Sequence, residues 1–542
     1  MMNGIYQVRK PKNEPVRTYE AGSLDRHLLE EALEELKNDF LDIPLIIGGK
    51  EIRTGSTKAC ILPHDHQTSI GHYHQAGQEE VAMAIEAALE AKASWEKMPF
   101  QHKASIFLKA AELLSTTWRY KMNAATMLVQ SKNPHQAEID VVCELIDFFK
   151  FNVHFMENIL RDQALSTKET WNRVEYTGLD GFIYAVSPFN FTSIGGNLAC
   201  APALCGNVVL WKPASTAVYS NYMIMKLLEE AGMPKGVINF VPGPSQSITD
   251  AVLDHPEFSG FHYTGSTSVF SNIWLEIAKK LPTYRSYPRI VGETGGKNFV
   301  FAHHSADIDT LVVALVRGAF EYQGQKCSAA ARTYIPESIW PQVKDKLLKM
   351  TSQLTYGPID DFKHFVNAVI DKRSFDRIKG YIEKAQTSSD SELLFGGSCD
   401  DKVGYFVEPT IIQSFTPDSA TMVQEIFGPV LTVYVYKDED FIQTLNLCES
   451  SSPYALTGAI FAKDRDVLLT MENHLKKAAG NLYINDKPTG AVVGQQPFGG
   501  SRASGTNDKA GSKQNLMRWI NTRVVKENFS SPTTYEYPFM SE

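Results

Sequence analysis

Short β-rich runs alternate with helical patterns through the middle of this chain, and that alternation constrains its fold more than any other feature. The runs are GFIYAVS (181–187), NVVLWK (207–212), VINFV (237–241), FSGFHYTG (258–265) and NFVFA (298–302). Helical patterns separate most of them, as over Ser193–Leu204 and Ser220–Gly232. Parallel strands need crossover connections, which are usually helices that cover the faces of the sheet. The pattern therefore predicts a mostly parallel sheet covered by helices.

A second alternating block follows residue 300. Helical patterns over Ile308–Phe320 and Ser338–Leu354 flank the strand-like run RTYIP, and the runs FVEPTII and LTVYVY come later. Because 542 residues exceed one ordinary hydrophobic core, we predict two α/β lobes. The predicted divisions are an N-terminal extension over 1–40, a first lobe over 41–298 with an oligomerisation hairpin near 160–178, a second lobe over 299–495, and a C-terminal loop and oligomerisation tail over 496–542.

Composition excludes several classes of protein. The net charge of −9 argues against a nucleic-acid binder, which would need a basic face. Seven scattered cysteines without a CxxC pair indicate a reducing compartment and no disulfide framework. No apolar run reaches the roughly 18 residues of a membrane span. The N-terminus resembles neither a secretory signal nor a transit peptide. We expect a cytoplasmic protein, although a processed mitochondrial matrix enzyme would look the same.

Several polar motifs stand where predicted strands end. SPFNF (187–191), WKPAS (211–215) and YTGSTS (263–268) each follow a strand, and VGETGGK (291–297) sets a carboxylate beside two glycines. The YTGSTS turn could receive a phosphate at a helix N-terminus, although a plain turn with a helix cap has the same composition. Neither GxGxxG nor GxxxxGK occurs, so a standard dinucleotide fingerprint and a P-loop are excluded. Each motif alone is ordinary.

Histidines cluster in HDHQTSIGHYH (64–74), with two HxH pairs that would each face one side of a strand. A divalent metal is conceivable there. Metal sites usually draw ligands from several elements with supporting groups behind them, however. We therefore predict a polar strand and no metal.

The stretch YQGQKCSAAAR (322–332) raises the central question of function. Cys327 stands between a glutamine–lysine pair and a run of small residues. A free cysteine is usually a buried, inert thiol. Read by itself, this stretch allows either a structural cysteine or a nucleophile.

Taken together, these motifs resemble the aldehyde dehydrogenase superfamily. SPFNF, WKPAS, YTGSTS, ETGGK, GQKCS and EIFGPV occur in that family's order and approximate spacing, from about Pro44 to Val525. Glu293 and Cys327 are 327 − 293 = 34 positions apart, which is typical of the family's base and nucleophile. The resemblance implies an aldehyde dehydrogenase-like fold with an NAD-binding first lobe, a catalytic second lobe and a small β oligomerisation element.

The resemblance also implies catalytic roles. Cys327 would attack the aldehyde, and Asn190 would hold the oxyanion together with the backbone N–H of Cys327. Glu293 would activate the water that hydrolyses the thioester. These residue types suit the chemistry, because a thiolate forms an adduct that can lose hydride and then a thioester that water can cleave.

NAD is the implied cofactor, and no metal is implied. Contacts to its adenosine and pyrophosphate part would come from Ser187, Lys212, Gly265, Ser266, Thr267, Ser268 and Val269. Contacts to its nicotinamide ribose and ring would come from Glu425 and Phe427. The aldehyde pocket would be lined by Glu144, Phe191, Ser328, Gly490, Ala491 and Phe498.

Within the superfamily, the chain is most similar to the branch that oxidises L-glutamate γ-semialdehyde, the hydrolysed form of Δ1-pyrroline-5-carboxylate, to L-glutamate in proline catabolism. The segments AVSPFNFTSIGGNLA, EYQGQKCSAAAR and GQQPFGGSRASGTND carry this likeness. Two residues depart from common patterns. Ala491 replaces a serine of many relatives, so we expect weaker substrate binding. Ser215 stands where many members carry an acidic residue that contacts the adenine ribose, which makes discrimination against NADP less secure.

Other interpretations stay open from the sequence. The chain could act on another small semialdehyde, such as succinate semialdehyde, or be a non-catalytic scaffold that keeps only the fold. A CoA-acylating dehydrogenase is disfavoured because Glu293 is present. The extended tail after Val525 and a possible hairpin near Trp171–Glu175 suggest a homodimer or a dimer-based assembly. We expect a small-molecule substrate and no nucleic-acid or membrane partner.

Overall fold

The computed structural model describes residues 6–541, so residues 1–5 and 542 of the predicted terminal segments lie outside it. The β-rich runs and helical patterns of the sequence appear as strands and helices with bounds shifted by a few residues. The helices are α1 (Leu24–Asn38), α2 (Gln78–Lys97), α3 (Phe100–Ser115), α4 (Arg119–Gln130), α5 (Pro134–Ala137), α6 (Leu145–Leu160), α7 (Thr192–Leu204), α8 (Val218–Ala231), α9 (Ser245–Leu253), α10 (Thr267–Lys279), α11 (Ile308–Phe320), α12 (Trp340–Thr351), α13 (Lys372–Thr387), α14 (Ala420–Val423), α15 (Phe441–Ser450), α16 (Arg465–Leu475) and α17 (Lys513–Met517).

The strands are β1 (Leu41–Ile43), β2 (Leu45–Ile47), β3 (Lys50–Ile52), β4 (Thr57–Leu62), β5 (Asp65–His74), β6 (Thr170–Thr177), β7 (Phe182–Val186), β8 (Val208–Lys212), β9 (Ile238–Phe240), β10 (Phe258–Thr264), β11 (Arg289–Glu293), β12 (Asn298–Ala302), β13 (Ala330–Pro336), β14 (Ser391–Phe395), β15 (Cys399–Asp400), β16 (Phe406–Val407), β17 (Thr410–Ser414), β18 (Val430–Tyr436), β19 (Tyr454–Ala455), β20 (Thr457–Phe461), β21 (Asn481–Ile484), β22 (Ser501–Arg502) and β23 (Asn521–Asn528). A π-helical stretch, Glu138–Glu144, joins α5 to α6.

The first large sheet has seven strands in the order β11-β10-β7-β8-β9-β2-β3. The strands from β11 to β9 are parallel, and β2 and β3 add an antiparallel edge. The chain order runs outward from β7 in both directions, toward β9 on one side and toward β11 on the other. Such a reversal opens a crevice at the carboxyl ends of the strands, where ligands of open α/β sheets bind.

The second large sheet has seven strands in the order β14-β17-β18-β13-β12-β20-β21. All its pairings are parallel except that of the edge strand β14 with β17. Strand β11 of the first sheet runs into β12 of the second through the short link Thr294–Lys297. The carboxyl end of one sheet therefore meets the amino end of the other at this link.

Hydrophobic faces of helices cover both sheets. In α11, for example, Leu311, Leu315 and Phe320 are fully buried in a core with the apolar side chains of the second sheet. Asp307 caps this helix, since its carboxylate accepts a hydrogen bond from the N–H of Thr310 at 3.1 Å. A capped helix with one apolar face packs onto a sheet because that face is removed from water.

One prediction about strand pairing is wrong. The hairpin expected near residues 160–178 is instead a single strand, β6, which pairs antiparallel with β23 from the C-terminal tail. Glu175 accepts hydrogen bonds from Arg523 across this pair. A strand that pairs with a segment some 350 positions away leaves no local turn signal in the sequence, so local patterns could not identify its partner.

Within the described part of the chain, none of the helices combines the length and apolar character that a membrane crossing requires.

The packing of α11 makes a stability prediction. Leu311→Ala should lower the free energy of unfolding by roughly 2–5 kcal/mol, because it removes a fully buried side chain and leaves a cavity. Val313→Ala on the same helix is the matched control, since Val313 is 37% exposed, and should change it by at most about 0.5 kcal/mol. Urea denaturation followed by circular dichroism measures both. Equal effects of the two changes would contradict the assignment of the buried face.

Candidate active site

Residues at the carboxyl ends of β7 and β8 form one side of the crevice. Ser187 follows β7, and its Oγ accepts a hydrogen bond from the Trp211 indole N–H at 3.0 Å. Lys212 ends β8 and is almost fully buried. Its Nζ donates to Ser245 Oγ at 2.6 Å, and burial lowers the pKa of its ammonium group to about 8. Because burial and this hydrogen bond already restrict the Lys212 side chain, it would lose little further conformational entropy on binding a ligand.

The turn after β10 leads directly into α10. Gly265 accepts no side chain, because a Cβ there would lie 2.4 Å from the Tyr263 hydroxyl. Ser266, Ser268 and Val269 are exposed beside the helix N-terminus, whose free N–H groups suit a phosphate. Thr267 differs from its four neighbours in the prediction. Its hydroxyl donates to Ala503 O and accepts from Gly295 N–H, so it serves the protein interior.

Glu425 and Phe427 approach from the second sheet. Glu425 Oε1 accepts a hydrogen bond from Gly296 N–H at 2.7 Å, while burial raises the pKa of its carboxyl group. A Cβ on the neighbouring Gly295 would lie 2.5 Å from Glu425 Oε2, so the position of the Glu425 carboxylate requires a glycine at residue 295. Phe427 has a left-handed backbone with φ of 57° and packs edge-to-face on Phe189.

Cys327 lies between a strained turn and the start of β13. Tyr322, Gln323 and Gly324 have successive φ values of +50°, +55° and +65°. Such a left-handed run is costly for residues with a side chain and persists only where other contacts hold it. Gln323 supplies these contacts, because its Nε2 donates to Ser131 O and Ala368 O at 2.9 and 2.8 Å. The turn therefore fixes the direction of the backbone at Cys327, just before β13 begins.

The main chain around Cys327 is held by two asparagines. Asn298 Nδ2 donates to Cys327 O at 2.7 Å, and Asn190 Nδ2 donates to Gln325 O at 3.1 Å. The Asn190 amide therefore lies beside the turn that precedes Cys327. Burial, followed by the charges of Glu293 and other nearby carboxylates, raises the pKa of the Cys327 thiol. Because its pKa is raised, the thiol is protonated at neutral pH.

Glu293 ends β11 on the other side of the crevice. Its Oε1 lies 2.7 Å from the position that a Cβ on Gly499 would take, so the carboxylate rests against the glycine pair of the PFGG segment. Its Oε2 is buried without a hydrogen-bond partner among residues 6–541. Burial raises the pKa of this carboxyl group well above its ordinary value, opposed by Gly500 N–H and by the charge of Lys509. A carboxylate in this state is a good proton acceptor.

A cavity of about 270 Å³ opens at Cys327. The six residues predicted for the aldehyde pocket all line it: Glu144, Phe191, Ser328, Gly490, Ala491 and Phe498. Glu144 ends the π-helical stretch and accepts a hydrogen bond from Ser193 Oγ at 2.6 Å, while burial raises the pKa of its carboxyl group to about 8. The Ser328 hydroxyl is hydrogen-bonded to Thr489 Oγ1 at 2.7 Å.

The sequence profile of the Aldehyde dehydrogenase family matches residues 52–525. The chain belongs to that family. It is 53% identical to "Delta-1-pyrroline-5-carboxylate dehydrogenase, mitochondrial" of Dictyostelium discoideum, over 98% of this chain and 96% of that one, and 47% identical to the enzyme of the same name from Danio rerio, with the same coverage.

Two solved structures of aldehyde dehydrogenases extend the comparison. The Δ-pyrroline-5-carboxylate dehydrogenase of Mycobacterium tuberculosis, described as bound with NAD, is 48% identical and superposes with a TM-score of 0.97 over 100% of both chains. The 1-pyrroline-5-carboxylate dehydrogenase from Thermus with bound NAD is 30% identical and superposes at 0.90, over 97% of this chain and 100% of that one. The predicted aldehyde dehydrogenase-like α/β fold is confirmed.

Several cavity residues of this aldehyde dehydrogenase were missed from its sequence. Asn13, Glu14 and Val16 line the cavity but lie before the segment that the family profile matches. Lys326, the residue before Cys327, also lines the cavity. In the structure its Nζ donates to Glu321 Oε2 at 2.9 Å. No motif marks the N-terminal residues, because contact with the cavity comes entirely from tertiary packing.

The histidine-rich strand forms a hydrogen-bonded group. His72 and His74 both reach Asp42 Oδ1 through Nε2, at 2.7 and 2.9 Å. His74 Nδ1 accepts from Gly55 N–H at 3.0 Å, so in this tautomer the Nε2 carries the proton that Asp42 accepts. A nitrogen that carries a proton has no lone pair for a metal ion, and Arg53 already neutralises Asp42. His64 and His66 have other partners, on Ser131 and Asp401.

The raised pKa of Cys327 predicts how this thiol reacts in the enzyme alone. The alkylation rate by iodoacetamide should rise about tenfold per pH unit between about pH 6 and pH 9 without levelling, because only the thiolate reacts. Mass spectrometry of the Cys327 peptide gives the rate, and Cys327→Ala gives the background from the other six cysteines. A fast rate that does not change with pH over this range would show a preformed thiolate and contradict this prediction.

Proposed function

We propose that this chain oxidises L-glutamate γ-semialdehyde, the hydrolysed form of Δ1-pyrroline-5-carboxylate, to L-glutamate, with NAD⁺ as hydride acceptor. The observation that carries the proposal is the cavity at Cys327, whose lining includes Glu144, Ser328 and the Gly490–Ala491 pair. The full-length relatives named as dehydrogenases of this substrate, at about half identity, support it. The reaction would belong to proline catabolism.

The residues at the first sheet fit NAD. The N-terminus of α10 presents N–H donors for a pyrophosphate, and the turn at Gly265 leads directly into it. Lys212 supplies a positive charge at the end of β8, and Glu425 can accept from ribose hydroxyls. Lys297 Nζ is buried near Glu425 without a partner in the described residues. These donors and acceptors are those that a dinucleotide requires. Thr267 would contribute through its backbone, since its hydroxyl faces inward.

Cys327 would perform the first chemical step by attacking the aldehyde carbon. The thiol proton passes to solvent water as the S–C bond forms, and the C=O π bond breaks so that the carbonyl oxygen becomes an oxyanion. Asn190 Nδ2 and the backbone N–H of Cys327 would hold that oxygen, since Asn190 is already fixed beside the turn through Gln325 O. Each oxyanion donor is worth about 3–4 kcal/mol of transition-state stabilisation in comparable enzymes.

The adduct on Cys327 then loses hydride and becomes a thioester. NAD⁺ supplies the acceptor for this hydride when it is bound. Glu293 would take a proton from water, and the hydroxide formed would attack the thioester carbon and release glutamate and the thiol. The pKa of Glu293 is raised by burial, so its carboxylate is a stronger base than an exposed glutamate. Base catalysis by this group is therefore lost as pH falls through the raised pKa.

The polar end of the substrate would be held by opposite charges and by backbone donors. Glu144 would accept from the α-ammonium group, and Gly490–Ala491 N–H with Ser328 Oγ would bind the α-carboxylate. A charge-assisted hydrogen bond to a buried donor is about twice as strong as a neutral one. Phe191 and Phe498 would pack on the aliphatic stem. Ala491 can contribute only its backbone N–H. Because it lacks the serine hydroxyl of many relatives, we expect weaker binding of the substrate.

The assembly, the domain roles and the compartment are part of the proposal. Strands β6 and β23 form a two-stranded sheet, and among the described residues no other strand pairs with the exposed outer edge of β23, which supports a homodimer or a dimer-based oligomer. The first lobe would bind NAD and the second would supply the nucleophile.

Free cysteines fit a reducing compartment. The relatives named mitochondrial favour the matrix over the expected cytoplasm.

The test is a direct assay of the purified chain. Pyrroline-5-carboxylate and NAD⁺ should give NADH, measured by absorbance, and Cys327→Ala should abolish the signal because no adduct can form. Succinate semialdehyde and NADP⁺ serve as comparison substrates and should give lower kcat/KM. Absence of NADH from the wild type, or equal rates from both proteins, would refute the proposal. A higher kcat/KM for succinate semialdehyde would assign a different substrate.

A further inference from the structure

An N-terminal segment, Asn13–Tyr19, forms part of the wall of the aldehyde cavity. Asn13, Glu14 and Val16 line the same 270 Å³ space as Cys327, although more than 300 positions separate them from it in the chain. On the same side of the cavity lies the aldehyde loop, defined here as Gly490–Phe498. The segment and the loop therefore share one boundary of the site.

Buried charges fix the segment in place. Arg119 and Glu138 form an ion pair that is almost fully buried. Glu14 accepts from Arg119 Nη1 at 2.9 Å, and the Tyr19 hydroxyl donates to Glu138 Oε2 at 2.7 Å. The backbone N–H of Arg17 also donates to Glu138, at 3.1 Å. Because a buried charge is costly without partners, the segment is an obligatory part of the fold.

Asn13 links the helix α6 to the aldehyde loop with a single side chain. Its Nδ2 donates to Asp147 Oδ2 of α6 and to Val493 O of the loop, both at 2.8 Å. Its Oδ1 accepts from Gln495 Nε2 at 2.9 Å. The neighbouring backbone N–H of Glu14 donates to the other oxygen of Asp147, also at 2.8 Å, which orients the carboxylate that Asn13 contacts.

The loop needs such a support. Gly490 and Gly494 have φ values of +95° and +82°, and glycine is the residue with the greatest backbone freedom. The carbonyl that Asn13 holds, on Val493, lies between these two glycines and two residues after Ala491. Ser328 and Thr489 hold the loop where it begins, through their hydroxyls. Asn13 is the corresponding support on the far side of the Gly490–Ala491 peptide.

We infer that Asn13 is a positioning residue for substrate specificity, because it sets the place of the Gly490–Ala491 N–H groups that bind the α-carboxylate. This inference rests on the proposed function. Only an aldehyde with a carboxylate at its far end uses these N–H groups. A short aldehyde without one reaches Cys327 and the oxyanion donors without contact to the loop. The bonds of Asn13 therefore affect one class of substrate and not the chemical step.

The test compares Asn13→Ala with Lys12→Ala in the full chain. Lys12 is its exposed neighbour, and no contact connects it to the cavity among the described residues. Asn13→Ala should raise KM for glutamate semialdehyde about five- to twentyfold and weaken binding of L-glutamate by a similar factor, because it removes three hydrogen bonds. Its kcat, its KM for NAD⁺ and its KM for propionaldehyde should stay within about twofold. Lys12→Ala should match the wild type throughout.

Two further variants keep the test decisive. Gln495→Ala removes one of the three bonds from an exposed position and should raise the same KM by a smaller factor, even where Asn13→Ala folds poorly in a thermal melt. Asn13→Asp loses both donors beside Asp147 and should bind substrate no better than Asn13→Ala. A KM that stays unchanged in all three variants of an active enzyme would overturn this inference alone.

Two further outcomes would also overturn the inference. Equal loss on glutamate semialdehyde and propionaldehyde would overturn the inference in favour of a general structural role for Asn13. A wild type that oxidises propionaldehyde but gives no NADH from pyrroline-5-carboxylate would overturn the proposed function, and this inference with it.

Discussion

The short link between the two sheets is the constraint on which the site depends. Thr294–Lys297 carries the chain from β11 to β12, directly after Glu293. Gly296 donates its N–H to Glu425, and a Cβ on it would lie 2.4 Å from Cys327 O. Asn298, directly after the link, donates to the same Cys327 carbonyl. Glu293, the turn before Cys327 and Glu425 are thus positioned by one piece of backbone, whose glycines allow the close approach.

This arrangement places three buried carboxyl groups around the thiol. Glu293, Glu425 and Glu144 all have raised carboxyl pKa values because they are withdrawn from water, and their charges in turn raise the pKa of Cys327. The site without ligands therefore favours protonated groups. A cationic ligand is electrostatically complementary to such a site, and both the nicotinamide ring of NAD⁺ and the ammonium group of an amino-acid substrate are cationic. Binding of these ligands would favour the ionised forms that catalysis needs.

Much of the fold and site was predictable, because strand ends and glycine turns are local signals. SPFNF, WKPAS and YTGSTS follow strands whose parallel carboxyl ends must meet at one edge of a sheet, so their proximity follows from topology. Long-range contacts were not predictable. The partner of β6 and the inward hydroxyl of Thr267 depend on residues distant in the chain. The place of Asn13 on the cavity wall depends on a buried ion pair that no local pattern reveals.

The central claim is that Cys327 carries the acyl group and Glu293 removes it. Mass spectrometry of Glu293→Gln after rapid mixing with pyrroline-5-carboxylate and NAD⁺ tests this most directly. The account predicts about one equivalent of NADH per active site and a glutamyl group on the Cys327 peptide that persists, because the thioester forms but water is not activated. Steady turnover at the wild-type rate, or an acyl group on a residue other than Cys327, would contradict the account.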